Sequence, residues 1–222
     1  MRALWRLSWD NRRLEPFWRV VLGGVVGAGG HDIVAPRSGC PCGGWRPPGP
    51  PGLAGEQRLA HCFWGCAVAR AVVQALRAEL PAHLPDLTPA HLWLHRPPGG
   101  VTGPVWSLVC IMAVHAMDRG RAKLWALTRQ RADATGLDQA RITDYYQVLG
   151  ATAAAAGDGP VPGGPDREVA QASAAAVATF WGSVVAFAET VEGVPRGWPD
   201  DLRTDHPFLA VRGGKVVVPR VP

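Results

Sequence analysis

Four of the five cysteines of this chain, together with one histidine, lie between residues 40 and 66. Thiolates and imidazole bind zinc strongly, and a structural zinc site takes four such groups in a tetrahedron. A set of this kind is available in Cys40, Cys42, His61 and Cys66. The sequence therefore predicts a Zn²⁺ site with three sulfur ligands and one nitrogen ligand.

The spacing of the four residues is compatible with a single ion. In an extended chain residues i and i+2 point to the same side, so Cys40 and Cys42 can both reach it. The two glycines that follow let the chain turn away. The second pair, His61 and Cys66, is predicted to lie on a loop that enters a helix beginning at Val68.

The same residues also allow other interpretations. The first two cysteines could be free thiols, or could oxidise to a tight and strained disulfide. His61 could be an exposed polar residue at the entrance of a helix. Cys62 competes with Cys66 as the fourth ligand, and we favour Cys66 because helical geometry would turn Cys62 away from the histidine.

Composition bounds the class of protein. With 222 residues, of which 47% are hydrophobic and 18% charged, the chain can form one fair-sized globular domain or two small ones. The formal charge of +5 permits an anionic partner without requiring one.

The cysteines do not form the regular framework of a secreted protein, and no signal-type segment is evident. The longest apolar run, 105–117, is shorter than the roughly 20 residues of a membrane span. We expect an intracellular protein, nuclear or cytoplasmic, without a membrane partner.

Apolar residues at helical spacing dominate the chain, so we predict a mainly α fold. A small zinc-binding knuckle lies between helices and is followed by a helical bundle and a C-terminal β-hairpin. The predicted domains are a zinc-binding module at 1–80, a linker with a short helix at 81–100, and a helical region at 101–222. The predicted helices lie after Asp10, over 68–80, over 89–95, from 104 to about 117, over 138–156 and from Asp166, and the predicted hairpin turn is Gly213-Gly214.

Arginines and aromatic residues around the predicted zinc site indicate a nucleic-acid partner. We expect Arg37, Arg46 and Arg58 to contact phosphates of RNA or DNA. Trp45 or Phe63 would offer a stacking surface for a base. The alternative places these aromatic residues in the core around the metal.

No residue pattern predicts an enzyme. The chain has no Tyr-x-Asp-Asp motif for two-metal polymerisation, no Walker-type phosphate loop and no evident Ser/His/Asp set. His91 and His95 are four residues apart but have no third ligand, so we interpret them as surface histidines. The basic run 119–131 either touches phosphates or forms a solvated helix face.

The order of these parts resembles the zinc-binding region found toward the C-terminus of reverse transcriptases of LINE-type retrotransposons. In that family a Phe/Trp-Arg helix precedes a cysteine pair, and a Glu, a His and a Cys entering another helix follow. Residues 16–21 (Pro-Phe-Trp-Arg-Val-Val) match the first helix, residues 40–43 (Cys-Pro-Cys-Gly) the cysteine pair, and residues 56–69 the remainder. The resemblance covers residues 4–80, about a third of the chain.

Three features depart from the family pattern. The first pair is Cys-x-Cys rather than Cys-x2-Cys, Glu56 lies one residue further from His61 than usual, and Val72-Val73 stands where a tryptophan is common. The resemblance implies an accessory module that helps a polymerase hold template RNA or target DNA, with upstream reverse transcriptase domains as partners. On this hypothesis the chain is a C-terminal fragment without polymerase activity. The second hypothesis is a zinc-stapled structural or protein-interaction module.

Overall fold

The structure of the chain is a computed structural model, and it describes 15–17, 40–44, 59–80, 86–98, 103–136, 166–191, 210–212 and 215–217. The described part of the protein is mainly helical, as predicted. Its helices are a π-helical turn (His61–Gly65), α1 (Ala67–Glu79), α2 (Pro89–Trp93), α3 (Gly103–Thr135) and α4 (Asp166–Val191). Within the described residues no helix is both long and apolar enough to cross a membrane.

Helix α1 lies within one residue of its predicted bounds. Its buried stripe follows the helical period, because Val68, Val72 and Leu76 are spaced four residues apart and are at most 2% exposed. The helix ends before Leu80, whose backbone is extended. A proline follows Leu80 in the sequence, and the residue before a proline avoids the helical region.

Helix α2 begins with a reciprocal cap and contacts α3. The ring Nδ1 of His91 accepts a hydrogen bond from the N–H of Thr88 at 2.9 Å, so this histidine serves the helix start. The indole N–H of Trp106 donates to the His91 carbonyl at 2.7 Å, which ties α2 to α3. Helix α2 ends at Trp93, two residues before its predicted end, and His95 has a positive φ of 51°.

Helix α3, with 33 residues, is more than twice as long as predicted. Its first half is buried on nearly all sides, as expected, with Ile111 0% and Met112 1% exposed. The predicted end near residue 117 is wrong, because the following stretch is rich in strong helix formers and Leu124 and Thr128 extend the buried stripe. The helix is followed by Gly136, whose φ of 65° is the left-handed conformation that favours glycine after a helix.

Helix α4 packs against α1 and α3 with small side chains at the contact. Its buried residues Ala172, Ala176 and Phe180 recur every four residues and form one face of the helix. An ion pair also joins the two long helices, with the guanidinium of Arg131 2.8 Å from the carboxylate of Glu168.

Two three-residue strands, β1 (Ala210–Arg212) and β2 (Lys215–Val217), pair antiparallel with Arg212 opposite Lys215. The two glycines of the predicted turn lie outside the described residues, so the type of that turn stays a prediction. The predicted helix 138–156 also lies outside them. Of the predicted N-terminal helix, residues 15–17 are described and are helical.

Gly120 on α3 lies where α1 and α4 pack closely against this helix. A Cβ atom at Gly120 would lie 2.5 Å from the Cβ of Ala176 and 2.6 Å from Cγ1 of Val68. It would also lie 3.1 Å from the carbonyl oxygen of Ala172. Because these contacts are with backbone and short branched side chains, the three helices must separate to admit even one methyl group.

We therefore expect Gly120→Ala to lower the free energy of unfolding by about 1–3 kcal/mol or more, since overpacking a close helix crossing forces backbone shifts. The matched control is Gly182→Ala on α4, where a Cβ would meet nothing within 4 Å. That change should stabilise the helix by up to about 1 kcal/mol. Urea unfolding followed by circular dichroism measures both. Equal stability of the two variants would contradict the close packing at Gly120.

Candidate metal centre

Cys40 and Cys42 lie on a tight turn rather than on the extended segment that the sequence predicts. The N–H of Gly43 donates to the carbonyl of Cys40 at 3.0 Å, which closes a four-residue turn with proline at its second position. Gly43 has a φ of 76°, which a residue with a side chain rarely adopts. The N–H of Gly44 points to the Cys42 sulfur at 3.4 Å. The turn, and not the alternation of a strand, therefore brings the two thiols together.

His61 and Cys66 lie one π-helical turn apart, where the sequence predicts a loop. The N–H of Cys66 donates to the carbonyl of His61 at 2.6 Å, a bond between residues five apart. In an α-helix residues five apart point about 140° away from each other, and the wider turn reduces that angle. The loop prediction is wrong here. The helical turn places both side chains on one side, and Cys66 then begins α1 as its N-cap residue.

These two segments bring four ligand atoms to within 4.8 Å of one another, and they belong to Cys40, Cys42, His61 and Cys66. The Cys42 sulfur is 3.3 Å from Nε2 of His61, and the Cys40 sulfur is 3.9 Å from that of Cys66. A tetrahedral ion with bonds of about 2.0–2.3 Å separates its ligand atoms by about 3.5–3.8 Å. The set therefore fits one metal ion. All five cysteines are described, and none forms a disulfide.

The cluster is enclosed by the core. Cys66 is 0%, Cys40 6% and His61 7% exposed, and Cys42 is half-buried. Cys66 rather than Cys62 belongs to the cluster, which agrees with the ligand that the sequence favours. Cys62 is also buried, but it lies outside the set of converging ligand atoms.

Mutual hydrogen bonds set the protonation of the three sulfurs. The pKa of Cys66 is lowered because the thiols of Cys40 and Cys42 donate to its sulfur and the His61 ring lies beside it. The pKa of Cys40 is raised by its bonds to the other two sulfurs and by burial. A hydrogen bond with Cys40 lowers the pKa of Cys42, but Cys66 and burial outweigh it and raise that pKa to about 12. These directions make Cys66 the most acidic of the three thiols.

Phe63 is a core residue. It is 1% exposed, and the guanidinium of Arg121 lies 5.5 Å from the centroid of its ring. A ring buried to this degree offers no face to a base, so its burial favours the core alternative over the predicted stacking role. The other predicted nucleic-acid contacts, Arg37, Trp45, Arg46 and Arg58, lie outside the described residues and stay predictions.

Arg121 is the residue near the cluster that the sequence analysis missed. As part of the basic run 119–131 it is predicted to face solvent or phosphate, but it is only 3% exposed. A signal was present, because Arg121 lies four residues after Met117 and three before Leu124, on the buried stripe of α3. A charged residue on an otherwise apolar stripe indicates a buried partner.

The described residues form a mainly helical fold with a buried cluster of three cysteines and one histidine that could hold one metal ion. Comparisons of the chain with models of protein families, with curated proteins and with solved structures find no match in any of the three. The interpretation of the site therefore depends on its own geometry and chemistry.

The pKa directions predict the number of protons that metal binding releases. Ligand thiols must be deprotonated, so binding of Zn²⁺ at pH 7 should release about two protons, from Cys40 and Cys42, while Cys66 is already a thiolate. Protons then compete with the metal, and the apparent Kd should rise by about 100-fold for each unit that the pH falls. Calorimetry in buffers of different ionisation enthalpy measures the release. Cys42→His, which replaces one thiol by an imidazole, should reduce it to about one, and no release by the unchanged chain would contradict the assignment.

Proposed function

We propose that the chain binds one Zn²⁺ through Cys40, Cys42, His61 and Cys66 and that the ion has a structural role. The convergence of four protein ligand atoms within 4.8 Å carries this proposal. Structural zinc sites have four protein ligands, whereas catalytic sites have three and keep a position for water or substrate. Four ligands leave no such position, which supports a non-enzymatic role.

The ion would join parts of the chain that are far apart in sequence. The turn at 40–44 and the π-helical turn are separated by a segment that includes Arg-Pro-Pro-Gly-Pro-Pro-Gly at 46–52, a sequence that no regular helix or strand accommodates. Structural zinc contributes on the order of 10–16 kcal/mol in small modules, comparable with the stability of a whole domain. Cys40, Phe63 and Cys66 belong to the same apolar core as α3 and α4. Loss of zinc should therefore weaken the helical body as well as the turn.

A pair of neighbouring cysteines tests the proposal. The purified chain should contain about one zinc per chain, and Cys66→Ala should weaken zinc binding strongly and lower the melting temperature, because a water molecule is a poorer fourth ligand than a thiolate and does not tie α1 to the ion. Cys62→Ala is the matched control, since Cys62 is equally buried but lies outside the cluster. It should keep the zinc. Elemental analysis and thermal unfolding measure both, and a metal-free unchanged chain, or loss of zinc from Cys62→Ala alone, would contradict the proposal.

We propose as a second function that this zinc-ordered module binds RNA or DNA. Arg119 and Lys123 are exposed one turn apart on α3, and Arg70 is exposed on α1, which packs against it. Exposed guanidinium and ammonium groups on adjoining helices can neutralise phosphates. The resemblance to LINE-type reverse transcriptases supports the same partner and suggests an intracellular accessory role beside reverse transcriptase domains. If the chain binds no nucleic acid, the purely structural or protein-interaction module is the alternative.

Salt dependence distinguishes these two functions. Neutralisation of about four phosphates predicts that the association constant falls with salt at a log–log slope of about −3 to −4. Arg46→Ala with Arg58→Ala should weaken binding without unfolding the chain. Arg167→Ala, at an exposed arginine in the first turn of α4, is the matched control. Fluorescence anisotropy with labelled single-stranded RNA and duplex DNA measures the slope, and no binding at low salt would favour the interaction module.

A further inference from the structure

Arg121 is the one Lys, Arg, Asp or Glu side chain that is buried among the described residues. Its guanidinium is held in the core, and its Nε atom is buried without a hydrogen-bond partner. The two ion pairs seen within the described residues, Arg77–Asp86 and Arg131–Glu168, do not include it. A buried positive charge is costly unless an opposite charge lies near it.

The guanidinium lies over the ring of Phe63, which is part of the π-helical turn between the ligands His61 and Cys66. Burial works to lower the pKa of Arg121, but Cys62, Cys40, Cys66 and Asp118 outweigh it and raise that pKa. Phe63 lies under the guanidinium and directly follows Cys62 in the π-helical turn. Arg121 thus reaches from α3 to the segment that supplies His61 and Cys66.

The charge of the metal centre completes the argument. A divalent ion with three thiolates and one neutral imidazole has a net charge of −1, in a site where Cys40 and Cys66 are at most 6% exposed. Such a charge is also costly to bury, and together with the guanidinium it sums to zero. We propose that Arg121 is the built-in counter-charge of the zinc centre, a positioning residue whose positive charge stabilises the three-thiolate form. This inference rests on the proposed zinc site.

The choice of arginine suits this position. Its guanidinium is always protonated and is more weakly hydrated than an ammonium group, so it is less costly to bury and keeps its charge. It also stacks on an aromatic face, as it does on Phe63. Gly120, the preceding residue, allows α1 and α4 to approach α3 at this level of the helix. The guanidinium is therefore carried by the closely packed part of α3.

A change of charge at the arginine tests the proposal in the full chain. Arg121→Met should weaken zinc binding by about 10- to 100-fold, as loss of supporting residues around metal ligands commonly does. Arg121→Lys keeps the charge and should restore most of the affinity. Arg131→Met, which breaks the ion pair with Glu168 farther along α3, should lower stability but keep the zinc affinity. Competition against a chromophoric zinc chelator at fixed pH measures all four chains.

A double-mutant cycle separates charge from packing. Cys42→His makes the centre neutral, with two thiolates and two imidazoles, so Arg121→Met should cost little affinity in that background or even improve it. An equal loss in both backgrounds, or an equal loss in Arg121→Lys and Arg121→Met, would show a packing role and overturn the proposal. If Arg121→Met does not fold, Arg121→Gln replaces it in the same comparisons.

The failures of the two proposals can be told apart. An unchanged chain that binds no zinc contradicts the zinc site itself. An unchanged chain that binds zinc, together with an Arg121→Met chain of the same affinity, contradicts only the role of Arg121.

Discussion

Three thiols and an imidazole lie within 4.8 Å of one another inside an apolar core. The surrounding structure has to hold these four polar groups together and away from water. Hydrogen bonds among the sulfurs and burial in a medium of low dielectric constant raise the pKa of both Cys40 and Cys42, so three thiolates can coexist here only if a cation offsets their charge. The local backbone has two unusual features, and each serves this convergence. The positive φ of Gly43 lets the first turn close, and the five-residue hydrogen bond from Cys66 to His61 turns the second pair to one side.

The site and the helical body share one core, because the same residues pack in both. Cys40, Phe63 and Cys66 are continuous with the buried faces of α1, α3 and α4, and Arg121 enters this region from α3. The close approach at Gly120 fixes the helix that carries the arginine. We therefore expect a change at the metal ligands to affect the packing of the long helices directly, since well-packed interiors transmit strain.

Residue type and period predicted much of this arrangement, and backbone detail accounts for the rest. The four cluster residues follow from their chemistry and spacing, and α1 and α4 from apolar stripes with clear ends. The π-helical turn could not be predicted, because the sequence of 61–65 is as compatible with a loop. The length of α3 was underestimated, since a change from apolar to basic composition near residue 118 hid the continuing stripe through Leu124 and Thr128. The burial of Arg121 was missed for the same reason. The run of charged residues was interpreted from its composition, although the helical period of α3 places Arg121 on the buried stripe.

That helical phase also bears on the proposed nucleic-acid partner. Arg119 and Lys123 face solvent, while Arg121, between them in sequence, faces the core. Fewer basic side chains of this run are therefore accessible to phosphates than its sequence suggests. In our proposal the buried arginine would affect an anionic ligand in another way. A zinc centre with three thiolates and no counter-charge would repel phosphate, and the repulsion would be little screened because the charge is buried. With Arg121 as its counter-charge the proposed centre would be neutral, and the exposed Arg70, Arg119 and Lys123 would then attract phosphate without repulsion from the zinc site.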